Sequence, residues 1–232
     1  MTAAEIFTPQ AAAIKPADFI GQYAFCHDGW PGTLTLEMQG GRNLRGTYRD
    51  ERLAQTFVVI GKVDSAVRNK VTLTIRDFNW LDEQVFIGYL FSRSREAMAG
   101  TTLWRDEPFG FLATKAPALT PEVFRSGGVQ PDDFAGCYDL VHDGITGSVE
   151  LEHTEGRLLS GRLDSTELGR ELAVHGEVDA AVPHQVSLRL GGDLRLAAVR
   201  FTGYLFSRPK NTVAGVIESA AGTTGFYMVK RP

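Results

Sequence analysis

Residues 16–117 align with residues 131–232 at a constant offset of 115 without a gap, and 38 of the 102 aligned pairs are identical. So many identities in one register mean a duplication. A period above 100 residues corresponds to two whole domains rather than to the units of a solenoid. The identities come in blocks. PxDFxGxY opens each copy at 16–23 and 131–138, and HDGxxG follows at 27–32 and 142–147. GRxLxG, GxVDxAV, GYLFSR, AG and GFxxxK come after it in the same order in both copies. The domains are therefore 1–117, with an N-terminal lead-in, and 118–232, whose lead-in doubles as linker and is expected to hold a short helical turn after Pro121. A looser match pairs EIF at 5–7 with EVF at 122–124.

Within one copy the apolar residues alternate with polar ones. Leu34, Leu36 and Met38 share a face, as do Val71, Leu73 and Ile75, and in the second copy Val186, Leu188 and Leu190. Period two is the signature of a strand with one buried face. Between these runs lie Asp-Gly, Gly-Gly and Asn-Lys turn signals, and no helical period competes. Eight strands are expected per copy, near 19–26, 33–39, 44–50, 55–61, 70–77, 84–92, 97–104 and 109–115. The fold class that follows is all-β: two tandem eight-stranded antiparallel up-and-down barrels. Closure removes exposed edges and leaves room inside for one small ligand. The sixth strand, Val85–Phe91, is apolar on both faces, as is Phe201–Phe206 apart from Thr202. An apolar outer face calls for a cover. The obvious cover is the other barrel, packed about a pseudo-twofold axis through strands 84–92 and 199–207.

Composition narrows the function classes. The net charge is -4 and like charges do not cluster, so no basic surface for nucleic acid is expected. No apolar stretch approaches the roughly 20 residues of a membrane helix. The first residues lack the basic-then-apolar order of a secretory signal, and a cytoplasmic location is expected. Cys26 and Cys137 are not equivalent positions, and each is read as a small buried side chain rather than half of a disulfide. No metal-ligand spacing and no cofactor motif is present, and GGR at 40–42 is a hairpin turn rather than a phosphate loop.

The chain resembles the avidin–streptavidin family at several short motifs. GQY at 21–23, GTY at 46–48, FIGYLF at 86–91 and TTLW at 101–104 are similar to that family's Gly-x-Trp, Gly-Thr-Tyr, Phe-Thr-Gly-Gln and Thr-x-Trp landmarks. The resemblance implies a tapered, calycin-like barrel with a ligand pocket at the end lined by the loops after strands one, three, five and seven. It also implies barrels that pair through the sheet containing strand six. Tyr48 and Trp104 match two pocket residues of the family. Phe25, Gly32 and Leu112 stand where its other polar partners would be, which implies a ligand other than biotin.

The two copies differ where function is expected. Trp30, Trp80 and Trp104 lie in or beside loops after odd-numbered strands, and their counterparts are Ile145, Arg195 and Ser219. Tyr48 pairs with Leu163 and Asp50 with Ser165. An aromatic mouth in the first barrel alone suits a small hydrophobic or aromatic ligand. The candidate ligand-binding residues are Phe25, Trp30, Tyr48, Asp50, Arg76, Trp80 and Trp104, with Asp77 and Arg105 as further polar anchors. HDG is read in two ways. Asp-Gly is the usual chemistry of a tight hairpin turn, and His27 with Asp28, or His142 with Asp143, are polar groups at the barrel rim. Three functions are open: a small-molecule binding protein; a cyclase- or isomerase-type enzyme using His27, Asp28, Tyr48 and Asp50 inside a water-excluding barrel; and an interaction module with a filled interior. A further homodimer is left open.

Overall fold

The structure, a computed structural model, describes residues 3–76, 83–115, 128–167, 169–192 and 194–232. The first eight strands are β1 (Gly21–His27), β2 (Trp30–Gly40), β3 (Asn43–Asp50), β4 (Gln55–Val63), β5 (Lys70–Arg76), β6 (Glu83–Leu90), β7 (Ala97–Trp104) and β8 (Glu107–Thr114). The next eight are β9 (Gly136–His142), β10 (Ile145–Glu155), β11 (Leu158–Ser165), β12 (Glu171–Val178), β13 (Gln185–Leu190), β14 (Arg200–Leu205), β15 (Thr212–Ser219) and β16 (Gly222–Lys230). Each set pairs antiparallel with its chain neighbours. β1 closes on β8 and β9 on β16, so the molecule is two closed eight-stranded barrels in tandem.

Alternation builds the interiors. β12 buries every second residue, Leu172, Val174, Gly176 and Val178, and β5 buries Val71, Leu73 and Ile75. Each barrel therefore carries its own apolar core. The PxDF motif forms a short 3-10 turn, Pro16–Phe19 in one barrel and Pro131–Phe134 in the other, and tucks Phe19 or Phe134 fully into the core. The Tyr23 hydroxyl donates to the Phe19 carbonyl at 3.0 Å, and Tyr138 donates to Phe134 at 2.8 Å. In GxVDxAV, Asp64 accepts from the backbone N–H groups of Ala66 and Val67, and Asp179 from those of Ala181 and Val182, so the motif is a turn.

The remaining shared motifs meet at the contact between the barrels. β7 and β8 pack on β15 and β16, with β6 and β14 at the flanks. A Cβ on Gly110 would lie 2.3 Å from the Ala214 carbonyl oxygen, and one on Gly225 would lie 2.6 Å from that of Ala99. The bare backbones of GF thus let the barrels approach across AG, once in each direction. Asn69 donates to the Thr223 carbonyl at 3.2 Å, while His184, its counterpart, is 2.7 Å from the Pro108 carbonyl. Phe91 stacks on Tyr227, and Phe206 is buried with Leu112 and Ala214. Contacts that recur at an offset of 115 with the barrels exchanged define a pseudo-twofold arrangement.

Some expectations need correction in detail. The outer face of β6 is covered only toward its C-terminal end: Phe91 is buried, but Val85 and Ile87 remain 39% and 37% exposed. Neither cysteine is bonded, and Cys137 is exposed rather than buried, because β9 turns alternate side chains to solvent. The lead-in of the first copy is shared between the barrels: Ile14 is buried in the core of the first. After the short helix α1 (Ala3–Ile6), Ile6 and Phe7 enter the core of the second barrel, beside Leu196 of the short helix α2 (Leu194–Ala197). The region after Pro121 lies outside the described residues.

Candidate functional site

The HDG turn is the first part of the site. Asp28 and Gly29 have φ of 46° and 79°, and Asp143 and Gly144 have 50° and 88°, as a two-residue hairpin demands. This geometry points the Asp out of the barrel. Asp28 accepts from the backbone N–H of Ser207 at 2.5 Å and from its hydroxyl at 2.7 Å. Asp143 does the same with Ser92. Burial pushes both carboxyls up, and the serine hydrogen bonds oppose the shift. HDG and GYLFSR are thus the two halves of one clasp, used twice, and Asp28 is committed to it.

His27, the last residue of β1, turns inward. Its ring lies 5.9 Å from Phe25, 6.3 Å from Tyr48 and 5.6 Å from Phe86. Burial lowers its pKa to about 4, against the pull of Asp50, so the imidazole is neutral at pH 7. Phe25 is buried in the core beneath it, packed against Tyr48, Phe86 and Phe111, behind the residues that line the cavity. Tyr48 comes from β3 and pairs across the ladder with Phe57 and Leu34. A Cβ at position 32 would lie 2.3 Å from the Tyr48 ring, so the Gly32 of HDGxxG makes room for it. Tyr48 is 4% exposed, and its hydroxyl has no hydrogen-bond partner. Burial raises the phenol's pKa, and the nearby Asp50 adds to the effect.

Asp50 ends β3, and its Oδ1 accepts from the backbone N–H groups of Arg52 and Leu53 at 2.9 and 2.8 Å. That bond shapes the turn that delivers Arg52 to Trp30, with the guanidinium 3.3 Å from the indole centroid. Arg208 of the second barrel lies 3.8 Å from the same centroid. Two guanidinium groups so close to one centroid cannot share a face without overlapping, so Trp30 is held between them. The rim of the first barrel is therefore made by both halves of the chain.

These residues surround a cavity of about 550 Å³ at the end of the first barrel where the β1–β2, β3–β4 and β7–β8 turns lie. Its lining takes in His27, Asp28, Trp30, Tyr48, Asp50 and Trp104. In the interior of the second barrel a cavity of about 10 Å³ lies among Leu140, Val149, Leu163 and Phe201. There Phe7 stacks on His142 with centroids 5.0 Å apart. Arg93 donates to the Glu5 and Thr8 carbonyls at 3.1 and 3.3 Å, and the Ser219 hydroxyl to that of Phe7 at 3.2 Å. The second barrel is filled by the chain's own lead-in.

Among the residues expected from sequence, Arg76 stands apart from the cavity, ion-paired with Glu83 at 2.6 Å. Arg105 is exposed beside Trp104, with 5.7 Å from guanidinium to centroid. Trp80 and Asp77 lie outside the described residues. Sequence reasoning missed Arg52, Leu53, Gln55, Phe57, Ile75, Gln84, Phe109 and Arg208. Phe57 and Ile75 were findable as inward positions of their strands. Arg208 was not, because its role depends on the packing of the two barrels. Among the described residues no three His, Cys, Asp or Glu side chains come together as metal ligands.

Comparison with protein-family models, with curated proteins and with solved structures finds no match.

Proposed function

We propose that the chain is a small-molecule binding protein whose pocket is the cavity of the first barrel, and that its ligand is hydrophobic or aromatic. One observation carries this reading. Two barrels built from the same motifs differ in their mouths: one holds Ile6 and Phe7, while the other has about 550 Å³ of space among His27, Tyr48, Trp30 and Trp104. A concave, mainly apolar space of that size with a few convergent polar groups is the usual form of a ligand site. The resemblance to avidin and streptavidin supports the same end of the barrel, since Tyr48 and Trp104 line it. The ligand is not biotin on this reading, because Phe25 and Gly32 supply no polar atom there and Leu112 is buried in the contact between the barrels.

A second reading, a cyclase or isomerase, has one feature in its favour: a buried Tyr48 hydroxyl with no partner, near Asp50 and a neutral His27. On that reading the acid–base groups narrow to His27, Tyr48 and Asp50, because Asp28 is held by Ser207.

Native mass spectrometry of gently purified protein tests the proposal. One small molecule per chain is expected, lost in Trp104→Ala with the fold intact. Retention in that variant, or two molecules per chain, would overturn it.

A further inference from the structure

The mouth of the second barrel is already a peptide seat. Residues 5–10 cross it as a strap, with the Phe7 ring stacked on His142 at 5.0 Å and edge-on to Phe201 at 5.8 Å. The rest of the grip is on main-chain atoms. Arg93, ion-paired with Asp143 at 3.5 Å, also donates to the Glu5 and Thr8 carbonyls. Ser219 donates to the Phe7 carbonyl, and the Ser92 hydroxyl accepts from the Gln10 N–H at 2.7 Å. The seat therefore reads one aromatic ring and a backbone.

The same seat is built in the first barrel. Moved by 115 with the barrels exchanged, His142, Phe201, Arg93, Asp143 and Ser92 become His27, Phe86, Arg208, Asp28 and Ser207, with no change of residue type. His27 lies 5.6 Å from Phe86, and Asp28 grips Ser207 as Asp143 grips Ser92. Arg208 pulls on the Asp28 carboxyl as Arg93 does on Asp143. Under the strap His142, Asp143 and Ser92 are buried, whereas His27, Asp28 and Ser207 are half-buried, and the first two face the cavity of about 550 Å³. One part of the grip changes: Trp104 stands where Ser219 does, and its indole N–H is a donor as well. Asp28, Asp50, Arg52 and Arg208 all line the cavity, so its formal charges cancel and do not select an ion.

We infer that the first barrel binds a peptide segment of another polypeptide, with an aromatic ring seated on His27 and main-chain carbonyls accepting from Arg208. This rests on the reading of the cavity as a ligand site and names the class of its ligand. It asks of Arg208, beside Asp28, only what Arg93 does beside Asp143.

The test is calorimetric titration of the full chain with three probes. These are a capped peptide of residues 5–10, Glu-Ile-Phe-Thr-Pro-Gln; the same peptide with Ala for Phe; and 3-phenylpropanol, which has the ring and no main chain. One peptide per chain is expected. The Ala peptide should bind about tenfold or more weakly, since the burial of a phenyl ring is lost. Arg208→Gln should weaken the peptide about tenfold and leave the alcohol near its starting affinity, because only the peptide brings carbonyls to the guanidinium. His27→Ala should weaken both, with the unfolding midpoint checked in each variant. Peptide binding that survives both substitutions would lie elsewhere and overturn the inference. If the alcohol binds and the peptide does not, the pocket stands and the peptide class falls. If neither binds, both readings fall. If the peptide binds only after Val123 and Phe124 are replaced by serine, the seat belongs to the chain's own segment and the inference is overturned.

Discussion

Asp143 of the second barrel accepts hydrogen bonds from both the backbone N–H and the hydroxyl of Ser92 in the first, and Asp28 holds Ser207 in the same way from the opposite side. Asp143 is 1% exposed, with the Arg93 guanidinium 3.5 Å away. Replacing it by Ala strands a buried N–H and hydroxyl and should cost about 2–4 kcal/mol. A double-mutant cycle of Asp143→Ala with Ser92→Ala, read by urea unfolding, should give a coupling of about 1 kcal/mol or more. Simple additivity would mean that the clasp is not an energetic link.

The barrels touch where two glycines remove a side chain. Gly110→Ala would drive a methyl into the Ala214 carbonyl, and Gly225→Ala into that of Ala99. Each should destabilise the protein by about 1–3 kcal/mol, the usual cost of overpacking. Gly128→Ala, whose added methyl would meet nothing within 4 Å, is the control and should leave the midpoint in place. Equal midpoints for all three would contradict the close approach.

Phe7 fills the second barrel from outside its own repeat. Phe7→Ala should cost about 3–5 kcal/mol, since it removes a fully buried ring from a packed core. It should also open a cavity beside His142 that takes up xenon or benzene, detectable by NMR shift perturbation at Phe201 and His142. A variant that keeps full stability and takes up no probe would show that the lead-in does not fill the barrel.

The stability should fall in acid by a definite route. His142 is fully buried, neither ring nitrogen has a partner, and burial with Arg93 nearby lowers its pKa to about 3. Between that value and the ordinary 6.5 the unfolded chain takes a proton that the folded one refuses. The stability is complete above the ordinary value and is lost as pH falls. At pH 4.5 the loss is about 2–3 kcal/mol from this group. His142→Leu should flatten that part of the profile in urea titrations between pH 7 and 4.5. An unchanged slope would mean that other groups carry it.

Tyr48 separates folding from binding. Its buried hydroxyl has no partner, so Tyr48→Phe should hold or raise stability by up to about 1 kcal/mol. If the hydroxyl serves a ligand, the same change weakens binding. A clear loss of stability in thermal unfolding would show that the hydroxyl is part of the folded framework.

The sequence by itself determined the barrels. Period-two alternation within each copy fixes which side chains face inward, and a gapless offset of 115 fixes that the pattern occurs twice. These are local facts of spacing, so the strands appear within a few residues of where they were expected. HDG was legible as a turn because Asp-Gly chemistry is local as well. The aromatic mouth could be read by comparing the copies, since Trp30, Tyr48 and Trp104 change where the scaffold does not. What only the tertiary structure decided are relations between residues far apart in the chain. Ser207 answers Asp28, Arg208 shares Trp30 with Arg52, and Phe7 fills a barrel that begins more than a hundred residues later. Composition and periodicity carry no information about such pairs. They depend on the way two closed barrels meet, and that is set by which outer faces can lose their side chains and approach.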